Sequence, residues 1–302
     1  MAISRSQLVK ELEPGLNALF GLEYARYDQE WKGIFDSETS DRAFEEEVEL
    51  SGFGNAPVKS EGAGIQYDDA AEAHTSRYSH ETIALAFAIT EEAVEDNLYD
   101  SLSSRYTKAL ARSMSNAKEI KGANILNRAF NSSYTGGDGL ELCSTAHLTV
   151  SGGNYKNELT TAADLNETSL EQALIDIAGL IDNRGLKIAV KASKMIIPVN
   201  LQFVAERLMK TELRTGSADN DVNAIRSSGM IPGGYDVNHY LTDTDAWFLK
   251  TDAPNGLKHF NRTPIKTAME GDFDTGNVRY KARERYSFGW SDPRGIFGSP
   301  GA

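Results

Sequence analysis

The longest regular pattern in the sequence constrains the fold most, because it predicts a helix too long for a compact domain. In residues 91–130, apolar side chains recur every three or four positions, which is the period of one helix face. Thr90 and the acidic residues just after it suit a helix N-terminus. An unbroken helix of this length would span roughly 60 Å and favours an elongated body. Gly122 permits a break near its end.

A long excursion precedes this helix. Residues 44–50 alternate partly as a strand does, residues 51–64 are rich in glycine and turn-forming residues, and residues 79–89 again read as a strand. The simplest interpretation is a hairpin-like segment that leaves the body of the protein and returns to it. Such a segment buries little of itself, and long protruding loops are usually functional or disordered.

The rest of the chain mixes helices and strands and predicts an α+β fold. Pro14-Gly15 is expected to break any early helix, and an apolar face follows from residue 16 to residue 31. An amphipathic helix is predicted over residues 165–181 and a second over 201–209. Strands are predicted at residues 194–199, 246–249, 257–260 and 278–288.

Composition excludes several classes of protein. Cys143 is the only cysteine of the 302 residues, which rules out a disulfide framework and favours folding in a reducing cytoplasm. The longest apolar run has seven residues, 83–89, whereas a membrane helix needs roughly 20. The net charge of −13 predicts a surface that repels nucleic-acid phosphates.

Motifs for catalysis are almost absent. The sequence has no phosphate-binding Gly-x4-Gly-Lys-Ser/Thr loop, no dinucleotide fingerprint and no Gly-x-Ser-x-Gly turn. Cys143 could act as a nucleophile beside His147, four positions later, but a lone cysteine is usually a small buried hydrophobe. We therefore predict no catalytic residue and no cofactor.

Candidate metal ligands are equally weak. His74 and His80 stand near Asp68 and Asp69, but a divalent cation needs three or four converging ligands, so we interpret these histidines as solvated or interface residues. Asp272-x-Asp274-x-Gly276 and Asp243-x-Asp245 are similar to calcium loops but lack the full ligand series. We predict no metal site.

The two ends of the chain carry opposite charge. Residues 1–50 hold twelve acids and five bases, whereas residues 277–302 hold two acids and five bases. On a strand, the bases at alternate positions share one face, and that strand is expected at the edge of a packed domain. These bases are Arg279, Lys281, Arg283 and Arg285. Their expected partners in an arm or loop, within one chain or between neighbours, are Glu45, Glu46, Glu47 and Glu49.

Five stretches carry a resemblance to a known family. They are residues 111–114, 126–131, 135–139, 218–223 and 283–295, with the sequences ARSM, LNRAFN, TGGDG, ADNDVN and RERYSFGWSDPRG. Together with the long excursion and the long helix, these stretches resemble the major capsid proteins of tailed bacteriophages. The resemblance covers most of residues 60–300, and the last stretch is the most specific.

This resemblance implies the HK-type capsid fold. Residues 1–45 would be an N-terminal arm, and residues 46–82 an extended loop that lies over a neighbouring subunit. Residues 83–164 would form the peripheral domain around a spine helix at 91–130, and residues 165–261 the axial domain. Residues 262–302 would return to the peripheral domain.

The resemblance also implies partners. The chain would assemble with copies of itself into the pentamers and hexamers of an icosahedral shell around double-stranded DNA, in a virion assembled in the bacterial cytoplasm. A portal, a separate scaffolding protein and possible decoration proteins are expected. Phe53 and Lys59 are further candidates for intersubunit contact, although no motif fixes a crosslinking partner for Lys59.

Three other interpretations stay open from the sequence. An encapsulin-like compartment would share the fold but hold protein cargo instead of DNA. A hydrolase at Cys143 and His147 would be ruled out by a Cys143→Ala variant that assembles and behaves normally. A surface binding module would use the excursion as its ligand loop.

Overall fold

The computed structural model describes residues 5–90, 92–93, 99–214, 221–272 and 276–302. The α-helices are α1 Arg5–Arg26, α2 Tyr99–Asn127, α3 Glu167–Ala178, α4 Gln202–Lys210 and α5 Ala224–Ser228. The strands are β1 Asp36–Thr39, β2 Phe44–Leu50, β3 Glu72–Ser79, β4 Glu81–Ile89, β5 His147–Leu148, β6 Asn154–Tyr155, β7 Ala192–Pro198, β8 Tyr235–Asn238, β9 Trp247–Thr251, β10 Leu257–Gly271, β11 Val278–Trp290 and β12 Ile296–Ser299. Short 3₁₀ turns occur at Glu30–Gly33, Val199–Leu201 and Pro293–Gly295.

The first sheet has the order β1-β10-β11-β4 and supports the long helix. β10, β11 and β4 are antiparallel neighbours, and β1 joins β10 in parallel. One face of β11 buries Tyr280 and Ala282 in a cluster with Leu110 and Met114 of α2. Leu16 and Phe20 of α1 complete this cluster, so the N-terminal helix, the long helix and the sheet share one core.

The second sheet has the order β12-β9-β7-β8 and lies between two cores. Met195 and Ile197 of β7 share a cluster with apolar side chains of α3, α4 and α5. Ile196 points to the opposite face, because strand side chains alternate, and packs in a cluster with Trp31 and Leu126. The inner strand β7 therefore connects the helical layer of this sheet to the long helix.

The prediction that Pro14 breaks the first helix is wrong. α1 runs through Pro14, although a proline inside a helix removes one backbone hydrogen bond. Burial of Leu16 and Phe20 against α2 offsets that loss. The sequence pattern cannot show this compensation, because it comes from residues almost one hundred positions away.

The long helix is present and continuous through Gly122. The described part, α2, begins at Tyr99 and ends at Asn127; residue 91 and residues 94–98 of the predicted helix lie outside the described residues. A Cβ at Gly122 would lie 3.2 Å from Cβ of Trp31, so glycine here permits close packing and does not break the helix.

The excursion is a two-stranded hairpin with an irregular tip. β2 and β3 pair in antiparallel register from Phe44 opposite Ser79 to Leu50 opposite Glu72. Residues 51–71 between them contain no strand or helix. At the base of the tip, the N–H of Ser51 donates to the carbonyl oxygen of Ala71 at 2.8 Å.

Candidate assembly surfaces

The hairpin has an inverted polarity. Glu45, Glu47 and Glu49 of β2 point toward the body, whereas the intervening side chains point outward. The outward set includes Phe44, Val48 and Leu50, all exposed. A strand on a soluble monomer normally buries its apolar face and exposes its charges. In this hairpin the acidic face attaches to the body of its own chain. The apolar face stays in solvent and is available to a partner.

Lys258 is the anchor for Glu47. It is almost completely buried on β10, and its ammonium group binds Glu47 and also Glu38, at 3.0 Å. The Ser291 hydroxyl donates a further hydrogen bond to Glu47 and lies 2.5 Å from the Tyr78 hydroxyl. Burial would lower the pKa of Lys258, but these two carboxylates raise it instead. The ammonium group therefore stays charged at the base of the hairpin.

Arg294 is the anchor for Glu49 and has 2% of its surface exposed. Its guanidinium group donates to Glu49 at 2.9 Å, to Asp292 at 3.1 Å and to Asn183 at 3.0 Å. It also lies 4.0 Å from the centre of the Tyr155 ring. Burial raises the pKa of Asp292, and the Arg294 charge opposes that rise. Arg294 thus connects three segments of the chain: the hairpin at Glu49, the segment at Asn183 and the turn at Asp292.

The other two acids of β2 have local partners. Ser40 donates to Glu45 at 2.6 Å. Glu46 faces outward and lies 3.7 Å from Arg77 in an exposed ion pair, and the Arg77 guanidinium lies over the Phe44 ring. In the described part of the chain, these glutamates contact residues other than the four bases of β11 that the sequence suggested.

The tip of the hairpin is apolar and almost free of its own chain. Val58 is 97% exposed and Tyr67 is 92% exposed. Phe53 and Ile65 are exposed as well, and so is Lys59. Asp68 holds the tip, because it accepts from the Gly54 N–H at 2.7 Å and from Arg184 at 2.6 Å. A cluster of large apolar side chains in solvent marks an interaction surface.

The basic face of β11 is present. Lys281 and Arg283 are exposed, while the side chains between and beside them, Tyr280, Ala282 and Glu284, are buried. Within its sheet, β11 is an inner strand, because it pairs with β10 on one side and β4 on the other. Local alternation fixes which side chains share a face, but the position of a strand in a sheet depends on distant segments.

Part of this basic face is already occupied. Arg279 pairs with Asp272, and Nη2 of Arg285 donates to the carbonyl oxygen of Ala43 at 3.5 Å. In the described ranges, Lys281 and Arg283 make no ion pair. Opposite them on β4 stand Ala86 and Ala84, whose small side chains leave both cations accessible. We call Lys281, Arg283 and Arg285 the basic stripe.

Comparison with known proteins identifies the family of this chain. The family model described as phage capsid protein matches residues 72–298. The chain belongs to the phage capsid protein family. Comparison with curated protein sequences finds no match.

Solved capsid structures show that the fold is shared with this family. The capsid of the native GTA particle matches with a TM-score of 0.55 and 13% identity, covering 91% of this chain and 90% of that one. The capsid of Myoviridae Phage XM1 matches with a TM-score of 0.53 and 12% identity over 89% of both chains. A virus-like particle from Pyrococcus furiosus matches with a TM-score of 0.51 and 11% identity, covering 94% and 97%.

The capsid protein has a buried charge cluster beneath the basic stripe. Lys118 of α2 donates to Glu284 of β11 at 3.3 Å, and the Tyr24 hydroxyl of α1 donates to the same carboxylate at 3.4 Å. Burial raises the pKa of Glu284 and lowers that of Lys118, while each partner opposes the shift of the other. The cluster holds α1, α2 and β11 together through one carboxylate.

Glu119, next to Lys118, gives the capsid protein a predicted pH dependence. Burial raises its pKa to about 7, although the backbone N–H of Trp31 donates to it at 3.1 Å and opposes the rise. As pH rises from about 4.5 to about 7, the unfolded chain loses this proton and the folded chain keeps it. The raised pKa therefore removes about 2–3 kcal/mol of stability across that window.

The measurement is the free energy of unfolding of the unassembled subunit between pH 4.5 and pH 7.5. We expect Glu119→Gln to flatten the decline, because glutamine still accepts from Trp31 but does not ionise. Glu212→Gln, at a highly exposed acid, should leave the decline unchanged. An equal decline in the Glu119→Gln variant would contradict this assignment.

Cys143 and His147 do not form a nucleophile–base pair. Cys143 is completely buried, and burial raises the pKa of its thiol well above its usual value, whereas a nucleophilic cysteine needs a lowered pKa. The two ring nitrogens of His147 hydrogen-bond with Asp138 at 2.5 Å and with Asn157 at 3.0 Å. This histidine and this cysteine are structural in the capsid protein.

His80 and Asp243 also make hydrogen bonds within the chain. His80 is buried and lies between Ser40 and Ser287 at 2.9 Å each, so its interpretation as a solvated or interface residue is wrong. Across the described ranges, no cluster of three metal-ligating side chains occurs. Asp243 accepts from backbone N–H groups of its own turn. Asp274 lies outside the described residues.

The sequence did not identify the anchors Lys258 and Arg294 or the buried acid Glu119. The strongest available signal was Arg294 inside the specific stretch 283–295.

In the described ranges, no helix is both long and apolar enough to span a membrane.

Proposed function

We propose that this capsid protein is the repeating subunit of a closed icosahedral shell around packaged double-stranded DNA. The observation that carries the proposal is the inverted hairpin, whose acids attach to Lys258 and Arg294 while its apolar face and tip lie in solvent. That arrangement costs free energy in a monomer and becomes favourable when a second copy covers it.

We propose that each region has a separate role in the shell. Residues 1–45 act as the N-terminal arm and residues 46–82 as the extended loop over a neighbour. The first sheet with α2 forms the peripheral region, and the second sheet with α3–α5 forms the axial region around the five-fold and quasi-six-fold axes. β12 pairs with β9, so we assign the last strand to the axial region, unlike the sequence-based boundary.

We propose a non-enzymatic role in the virion, with assembly in the host cytoplasm beside a portal and a separate scaffolding protein. The net charge of −13 supports a shell that encloses DNA without binding it. An acidic shell wall would repel the phosphates of the packaged duplex. The family match favours a phage shell over an encapsulin-like compartment.

Sedimentation of the purified full-length protein tests this role. We expect a single fast species of shell size, appearing with its partners or when the subunit is concentrated. A monomer under all these conditions would contradict the proposal.

We propose that the basic stripe contacts an acidic segment of a neighbouring copy. Lys281→Glu with Arg283→Glu should lower the yield of shells at least tenfold at low salt, and less at high salt, because exposed charge contacts are screened. A small free energy per contact suffices, because each contact is repeated throughout the shell. Glu46 is the best candidate partner, since it faces outward.

Lys108→Glu with Arg112→Glu is the matched control, because it makes the same change in net charge at exposed positions of α2. If both double variants reduce shell yield equally, the effect comes from net charge and the stripe is not a contact. Unchanged yield in the stripe variant at every salt concentration would also rule out the contact.

A further inference from the structure

We propose that Phe203 of one copy docks into an apolar groove on the axial region of the next copy, so that neighbouring axial regions join head to tail. This inference rests on the proposed shell function and names one contact that builds its rings. The groove lies between α3 and the segment that includes α5 and Met230.

Phe203 is a protruding apolar side chain in the first turn of α4. It is 72% exposed, whereas Ala205 and Leu208 on the other side of the same helix are buried. Val199, just before the helix, is also exposed. One face of the helix therefore packs in the core of its own chain, and the other presents an aromatic ring to solvent.

The groove is made of two adjoining cavities. One of about 360 Å³ and one of about 540 Å³ share Leu174, Ala178, Ser228 and Met230 in their linings. Ile175 stands on the rim and is 65% exposed. The shared lining is mainly apolar and open to solvent, which suits an aromatic anchor from a partner.

The ring and the groove are different patches of the axial region, because Phe203 does not line either cavity. Ala192 and Ser193, where β7 begins, line the larger cavity. Phe203 follows five residues after Pro198, where β7 ends. Phe203 is 72% exposed, so its ring does not fill the groove of its own chain. Two different patches produce a heterologous contact, and such contacts close into rings when the rotation allows it.

Charge complementarity supports a second copy as the occupant. Glu171 lines the groove one helical turn before Ile175, and Arg207 is exposed one turn after Phe203. Within the described part of the chain, neither Glu171 nor Arg207 forms an ion pair. When the ring enters the groove, these opposite charges can face each other across the contact.

Two cysteines test the contact directly. In the variant Phe203→Cys with Ile175→Cys, a mild thiol oxidant should produce a ladder of covalent oligomers that ends at five and six copies. Native Cys143 is buried and does not interfere, and a disulfide within one chain would leave a monomer on a denaturing gel and no ladder. The matched control, Phe203→Cys with Leu148→Cys, places the second thiol at another exposed position and should give no ladder.

A charge exchange tests the same contact without new thiols. Arg207→Glu and Glu171→Arg should each lower ring or shell yield at least tenfold, and the double variant should recover it to within about twofold. If shells form normally but neither the ladder nor the rescue is seen, the docking contact is wrong and the shell function stands. A ladder without shells would support the contact and contradict the shell function. Failure of both ladder and shells would overturn both.

Discussion

Replacing Arg294 with methionine should lower the free energy of unfolding of the subunit by about 3–5 kcal/mol. The substitution leaves the Glu49 and Asp292 carboxylates without the guanidinium group that now lies 2.9 Å and 3.1 Å from them. Removing one partner of a buried ion pair is costly, because the remaining charge stays out of water. Methionine keeps an apolar stem over the Tyr155 ring, so the loss reports mainly the charge and its hydrogen bonds.

Chemical denaturation of the unassembled subunit measures this effect, with Arg77→Met as the matched control. Arg77 lies on the same hairpin in an exposed ion pair with Glu46, and its replacement should cost less than about 1 kcal/mol. The triple variant Arg294→Met, Glu49→Gln and Asp292→Asn neutralises the two acids that lose their partner. It should recover part of the lost free energy of unfolding. Equal effects of Arg294→Met and Arg77→Met would contradict the role of Arg294 as an anchor.

Deleting residues 53–65 should abolish shell formation while leaving the subunit folded. The deletion removes the exposed side chains of Phe53, Val58 and Ile65 but keeps the hydrogen bond between Ser51 and Ala71 that closes the base of the tip. Because few contacts of the body involve this segment, the free energy of unfolding should change by less than about 1 kcal/mol. Shell yield should fall below detection.

Two full-length variants separate the loop's chemistry from its length. Serine at Phe53, Val58, Ile65 and Tyr67 keeps the length and should still prevent shells. Ser60→Ala with Glu61→Gln changes polar residues of the same tip and should assemble normally. Normal shells from the deletion or from the serine variant would show that the tip is not an intersubunit contact.

The sequence predicted the elements with strong periodicity. Residues 278–288 alternate, and β11 has the expected buried and exposed faces. The α+β class and the capsid fold are confirmed by the structure and by its similarity to solved capsids. The division into arm, loop, peripheral and axial regions stays a prediction, as do the intersubunit contacts.

The remaining features depend on contacts between distant residues. Glu47 meets Lys258 and Glu49 meets Arg294, more than 200 positions away in each case, and the spacing of charges did not indicate these two partners. A contact between copies that involves the bases of β11 stays a prediction. The central position of β11 and the continuous helix through Pro14 have the same cause. The spacing of charges shows which residues share a face, but it does not show which buried cation lies opposite them.

Electron cryomicroscopy of particles assembled from the full-length protein tests the central claim most directly. We predict closed shells of uniform size in which the outward face of β2 and the tip at residues 51–71 lie against a neighbouring copy. Val48, Leu50 and Val58, exposed in the single chain, should be buried there. Closed shells in which these side chains face solvent, or a protein that forms no closed particle, would contradict the account.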